Sequence, residues 1–326
     1  MKLIEKLISS EEPLIRLKTY KKLLNYSSED KEVQKIEEEI ITSSELVKSF
    51  FKYLPKDKAN NPFHVYKKWQ GVHWLLSILA DLEYPPNDSL LLPSAHFELQ
   101  WLLSASRWAR KKTINGLKRF CASQEGNGLN FLIKLDLAEV DDYKILIKRL
   151  IKFQWPDGGW NCDNKPSASK SSYHESLIPL RALNTYLSLK KGIYQKEVEK
   201  TIKRSTELFL RRELYKKLNS EEIIDSNWLK LSYPSYWHYD LLSALKILAE
   251  CRKILDARCN SALDLLESKI LPDGGFPAEI KYYTLQGKSN SSPYNWGGVN
   301  SNKMNPWVTL DAFFVLKEAK RIELEI

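Results

Sequence analysis

"FQWPDGGWNCDNKPSASKSSYHESLIPLRAL", residues 153–183, holds a tight turn, a polar run and the head of an apolar helix. A solvated loop has no need of Trp160. A plain helix start has no need of His174 and Glu175 where a small cap would serve. The stretch becomes informative when it is laid over the rest of the chain. Its turn, Pro-Asp-Gly-Gly-Trp at 156–160, returns as Pro-Asp-Gly-Gly-Phe at 272–276, again followed by a polar segment and an apolar helix. Such self-similarity is the mark of an architecture built from stacked units.

Four segments share a register. With Leu76, Leu177, Leu241 and Leu310 aligned, the residue three places earlier is His73, His174, His238 or Trp307, one helical turn away. "ASQEGNGLNFLIKL" at 122–135 is a fifth member, with Gln124 and Glu125 ahead of its apolar run. Nearly every long segment has helical apolar spacing, and strand-like alternation is scarce, so the fold class is all-α. A two-helix unit cannot bury its own apolar face, and several must stack to share a core. Closing the set predicts an (α/α)5-6 toroid, with apolar inner helices and Lys/Glu-rich outer ones. The whole of 1–326 is expected to form one domain, in which 1–60 supplies helices that complete the barrel and 61–326 carries the recognisable repeats. Inner helices placed alike in each unit run parallel, and their N-termini meet at one mouth.

"KRLIKFQWPDGGW" (148–160) resembles the repeat of the α/α-toroid superfamily of terpenoid (squalene-type) cyclases and protein prenyltransferase β-subunits. Gln154 and Trp160 fill its Gln and Trp positions, and "LLESKILPDGGF" (265–276) is a copy without the Gln. "DNKPSASKSSYHESL" (163–177) is similar to the loop that brings a zinc-binding histidine to the head of an inner helix in the prenyltransferases; Tyr173 and His174 match it. The resemblance implies an enzyme with an aromatic-lined central cavity, an isoprenoid or other apolar small-molecule ligand, and a helical partner subunit. The chain departs from it in lacking the Asp-x-Asp-Asp and Asp-Asp-x-x-Asp motifs and the Asp-x-Cys pair of zinc ligands.

At the predicted mouth, His174 and His238 head successive inner helices, whose axes should lie roughly 8–10 Å apart. Two imidazoles there, joined by Cys121 from the preceding unit or Cys162 locally, make a set that suits tetrahedral zinc. Glu175, Asp240 and Glu125 are the carboxylates placed for acid–base work, with His174 and His238 as partners. Each has a plainer role too, since acids in a first helical turn complement the helix dipole. Trp69, His73, Trp160, Tyr173, Tyr236, Trp237, Trp296 and Trp307 are the expected substrate-binding residues, rings that suit an apolar chain or a cation. Tryptophan also stacks on sugars, so a glycan-acting (α/α)-barrel enzyme is the rival reading. A non-catalytic toroid that binds a hydrophobic ligand or a protein is the third.

The composition narrows the field. Of 326 residues, 43% are hydrophobic and 28% charged, the balance of a chain with a sizeable core. The net charge of +9 comes from lysines scattered among glutamates along helices, and no basic run alternates with aromatics, so nucleic acid is not expected as a partner. No apolar run reaches the ~20 residues of a membrane span, acidic residues break up the N-terminal apolar positions, and the four cysteines form no CxxC pair. A cytoplasmic protein with reduced cysteines is the expectation.

Overall fold

The computed structural model describes residues 2–190, 192–287 and 289–323. Its helices are α1 (Lys2–Ile8), α2 (Pro13–Lys18), α3 (Lys31–Ser43), α4 (Glu45–Phe51), α5 (Val72–Asp81), α6 (Leu92–Leu103) and α7 (Ala105–Ala109). They continue as α8 (Ala122–Lys134), α9 (Val140–Lys152), α10 (Tyr173–Leu189), α11 (Gln195–Leu210), α12 (Leu241–Glu250), α13 (Asn260–Glu267) and α14 (Pro306–Glu318). A π-helical segment, Thr19–Leu23, extends α2. Strand is confined to two small antiparallel pairs, Thr113–Ile114 with Leu117–Lys118 and Pro277–Ala278 with Asn300–Met304. The fold class is all-α, as the apolar spacing predicts.

The two kinds of helix are visible in their burial. In α5 nearly every side chain from Val72 to Ala80 is buried, whereas α11 buries mainly the face carrying Val198, Thr201, Ser205, Leu208 and Phe209. The apolar helices touch in sequence: α5 packs on α8, α8 on α10, α10 on α12 and α12 on α14, and α14 touches α2 and its π-helical extension. The polar-faced helices lie against this series, with α6 and α9 on α8, α11 on α10 and α13 on α12.

The repeated turn fixes how each polar-faced helix hands over to the next apolar one. In the first copy Gly158 N–H donates to Trp155 O and Trp155 N–H to Gly159 O; in the second Gly274 N–H donates to Leu271 O and Leu271 N–H to Gly275 O. Gly158 and Gly274 both have positive φ, 107° and 83°. A Cβ on Gly158 would also lie 2.3 Å from Arg204 O, so only glycine fits there. The next residue is tied to the helix that follows. Trp160 N–H donates to Ser176 Oγ at 3.0 Å, and Phe276 N–H to Thr309 Oγ1 at 2.9 Å. Ser176 and Thr309 each occupy the fourth position of their helix. Gln154 and Trp160 close the first copy, donating to Gly158 O and Thr201 O, and to Leu150 O.

Where the apolar helices converge, the side chains are charged. Lys18 bonds Asp311 at 2.6 Å and lies 3.5 Å from Asp81. Lys246 bonds both acids, at 2.9 and 2.6 Å, and Arg181 joins Asp81 to Glu250. Tyr233 donates its hydroxyl to Asp81. These residues come from α2, α5, α10, α12, α14 and the loop before α12. Three positive and three negative groups balance, as burial demands.

Candidate functional site

The loop before α12 runs Ser232-Tyr233-Pro234-Ser235-Tyr236-Trp237-His238-Tyr239-Asp240 and carries four of the candidates, Tyr236, Trp237, His238 and Asp240. It walls a cavity of about 70 Å³ that also borders Ser77, Asn127, Asn130, Arg181, Lys246 and Asp311. The lining is mixed, with hydroxyls and the central charges beside Ile78, Leu177, Ile178, Leu242 and Ile247. It is therefore not the aromatic-lined chamber expected from the sequence, because charged side chains share the space.

His238 does not head α12; it stands in the loop, and Asp240 is the N-cap. Its Nδ1 lies 3.0 Å from Ser235 O, which can only accept, so the Nδ1 proton is fixed and Nε2 is left as a free base. Burial, with His174 and Lys68 nearby, pushes its pKa down to about 4. The ring lies flat on Tyr282, with centroids 3.5 Å apart, and on Trp237 at 4.3 Å. His238 borders both the inner cavity and a surface cleft formed with Lys68, Trp69, Lys281, Tyr282 and Asn290. Lys68 stands 5.2 Å from the rings of both Trp69 and Trp237. Tyr236 has left-handed backbone, φ 53°, held by stacking on Trp69 at 3.8 Å. A bulky residue so held is a feature of functional loops. Trp237 Nε1 is buried without a protein partner.

His174 is 6.4 Å from His238 between ring centroids, edge to face. Its Nδ1 accepts the Tyr239 N–H at 2.8 Å, so in the neutral ring, which burial favours, the proton is on Nε2. The two imidazoles are neighbours with complementary tautomers. They do not form one donor set with the cysteines. Among the described residues, the cluster of metal-ligating type is Cys121, Cys162 and Glu175, whose ligand atoms all lie within 4.8 Å of one another.

The remaining candidates make other contacts. Glu175 is buried at the start of α10 and accepts the Ser123 N–H at 2.9 Å, which caps α8; burial raises its pKa. Asp240 accepts the Ser243 N–H at 2.7 Å and the Ser232 hydroxyl, and burial raises its pKa to about 6. Glu125 is fully buried, 3.3 Å from Arg107 and 3.2 Å from Arg149. His73 is sealed against Glu98 at 2.8 Å, with neither side chain exposed. Trp160, Trp296 and Trp307 are core residues, and Tyr173 packs on Phe209, Trp228 and Tyr239. None of them lines the cleft or the cavity. Of the predicted aromatics, Tyr236 lines the cavity and Trp69 the cleft, while Trp237 stacks on His238 beside them.

The sequence reading missed Lys68, Lys281 and Tyr282, which only the fold brings beside His238. It also missed Lys18, Asp81, Lys246 and Asp311. Asp81, Lys246 and Asp311 had a legible signal, a charge in a largely apolar helix, where an unpaired ion is too costly to leave; Lys18 did not, since Arg16, Lys21 and Lys22 surround it in sequence.

No known protein family matches the chain, and no curated protein does. A solved polysaccharide lyase structure does resemble it, with a TM-score of 0.53 and 12% identity over 94% of this chain and 87% of that one. At that identity the likeness is one of fold. It overturns the resemblance to terpenoid cyclases and prenyltransferase β-subunits, whose Gln and Trp positions here serve a turn clamp. No helix among the described residues is long and apolar enough to cross a membrane.

Proposed function

We propose that the chain is a closed (α/α) toroid that acts on an acidic polysaccharide at the His238 cleft. The helix-to-helix series α5, α8, α10, α12, α14 and α2, with Lys18 meeting Asp81, supports closure. The observation that carries the function is the surroundings of His238. A neutral imidazole with a free Nε2 stands in a cleft with two lysines, Lys68 and Lys281, and no carboxylate. The fold shared with a polysaccharide lyase and the rings of Trp237 and Tyr282 agree with a sugar substrate.

The chemistry follows from those groups. The lysines neutralise a uronate carboxylate, which acidifies the C–H beside it. His238 Nε2 takes that proton, the C–H electron pair becomes a C=C bond, and the neighbouring C–O bond breaks. The leaving oxygen takes its proton from solvent at the open cleft.

Incubation with a panel of uronate polymers, followed by the ultraviolet absorbance of unsaturated product, tests the reading. His238→Gln should lower the rate by roughly 10²–10⁴-fold while oligosaccharide binding persists. A wild-type protein that neither cleaves any such polymer nor gains thermal stability from its oligomers would sink it. Binding that persists with no cleavage by the wild type would point to a non-catalytic sugar-binding protein.

A further inference from the structure

Cys121 is the N-cap of α8, Cys162 lies in the loop after the first Pro-Asp-Gly-Gly turn, and Glu175 is in the first turn of α10. Three separated segments thus deliver two thiols and a carboxylate to one point. Glu175 is 7% exposed, and its oxygens accept from the Ser123 N–H and the Cys162 S–H, the latter at 3.4 Å, with no ion pair among the described residues. Glu125, the other buried acid on these helices, has two guanidiniums beside it. Lys111 is near enough to favour the charged form but makes no ion pair with Glu175. A buried carboxylate with no cation in contact is costly, and two adjacent thiols offer negative charge that a cation would draw out.

The geometry points to a soft divalent cation site, with zinc the best-suited ion, held by Cys121 Sγ, Cys162 Sγ and a Glu175 carboxylate oxygen. Thiolate donors exclude magnesium and calcium and favour zinc. Three protein ligands leave a fourth position for water, the pattern of sites that remain open. Both cysteines are partly accessible, so the ion has a route in. Binding expels the two thiol protons to solvent, so affinity rises with pH. The set differs from that expected from the sequence: it contains Glu175 and neither histidine. It is also independent of the His238 cleft.

The test uses the full chain, stripped with chelator under reductant, and reads metal binding without any activity assay. Cobalt(II) is titrated in, followed by zinc against a chromogenic chelator. The expected result is one equivalent of cobalt with thiolate-to-cobalt charge-transfer absorption, displaced by zinc. Cys121→Ser and Cys162→Ser should each weaken binding by more than about tenfold. Glu175→Gln keeps an oxygen for the Ser123 N–H and should also weaken binding, at an unchanged unfolding temperature. Absence of the charge-transfer band, or cobalt affinity unchanged in the double cysteine variant, overturns the site. Unchanged affinity in Glu175→Gln overturns the three-ligand assignment.

Discussion

The protonation of His238 ties the candidate site to folding. Its folded pKa, about 4, lies below the ordinary 6.5, so the unfolded chain takes up the proton first. Stability from this group is full above about 6.5 and is lost as pH falls towards 4. Asp240 acts in the opposite sense: its folded value is about 6 against 3.8, so protonation favours the native state as pH falls through that window. His238→Gln should therefore gain stability relative to wild type as pH falls from neutral, and Asp240→Asn should lose it. Denaturant midpoints at the two ends of the window check both, and parallel pH profiles for all three proteins would refute the assignment. At Gly158, alanine should cost at least about 2 kcal/mol, because the strain of positive φ adds to the clash with Arg204 O. Gly116, also at positive φ but with open space around its Cα, is the control, and alanine there should cost about 1 kcal/mol. Residue types alone singled out His174 and His238, and their nearness follows from the repeat register. Their hydrogen-bond partners do not, because Ser235 O and the Tyr239 N–H are backbone groups placed by the loop. Nor does sequence tell that Glu125 meets Arg107 and Arg149 or that His73 meets Glu98, since those partners belong to other helices or precede a turn of unknown path.

At the level of elements, the link from turn to helix is a repeated device. Ser176 and Thr309 each take a backbone N–H that would otherwise be buried and unpaired. Ser176→Ala and Thr309→Val should each cost about 1–3 kcal/mol, and the double variant should cost their sum, since the two links are on different helices. Chemical denaturation of the two single variants and the double measures this, and a double loss far from additive would mean that the two units are coupled through the centre. The repeat was legible in the sequence because the Asp-Gly-Gly turn requires glycine at one left-handed position and aromatic bulk just after it. The hydroxyl partner was not, since a serine or threonine in a first turn usually caps its own helix. Which of the tryptophans meet the cleft was not legible, for a related reason. An indole beside a helix start looks the same in sequence whether it faces a ligand or closes a turn.

For the molecule as a whole, the buried charges at the convergence of the helices matter most. Lys18 is 2% exposed and holds Asp311 and Asp81. Lys18→Met should cost about 3–5 kcal/mol, because it leaves an excess of buried negative charge; unfolding in denaturant reads the loss. A cost below about 1 kcal/mol would mean that Lys246 and Arg181 already balance the acids. The helical class and the unit repeat could be read from apolar spacing, which is local. A polar centre could not, because neutrality there depends on residues far apart in the chain.

That distance has a consequence for how the protein is made. Lys18 and Asp311 are separated by 293 positions, so at ~5–20 residues per second the lysine leaves the ribosome on the order of 15–60 s before its partner. Until α14 emerges, Lys18 has only Asp81 to meet, and Lys18, Arg181 and Lys246 face two acids, Asp81 and Glu250, in place of three. The central charges thus come into balance only once α14 has been made.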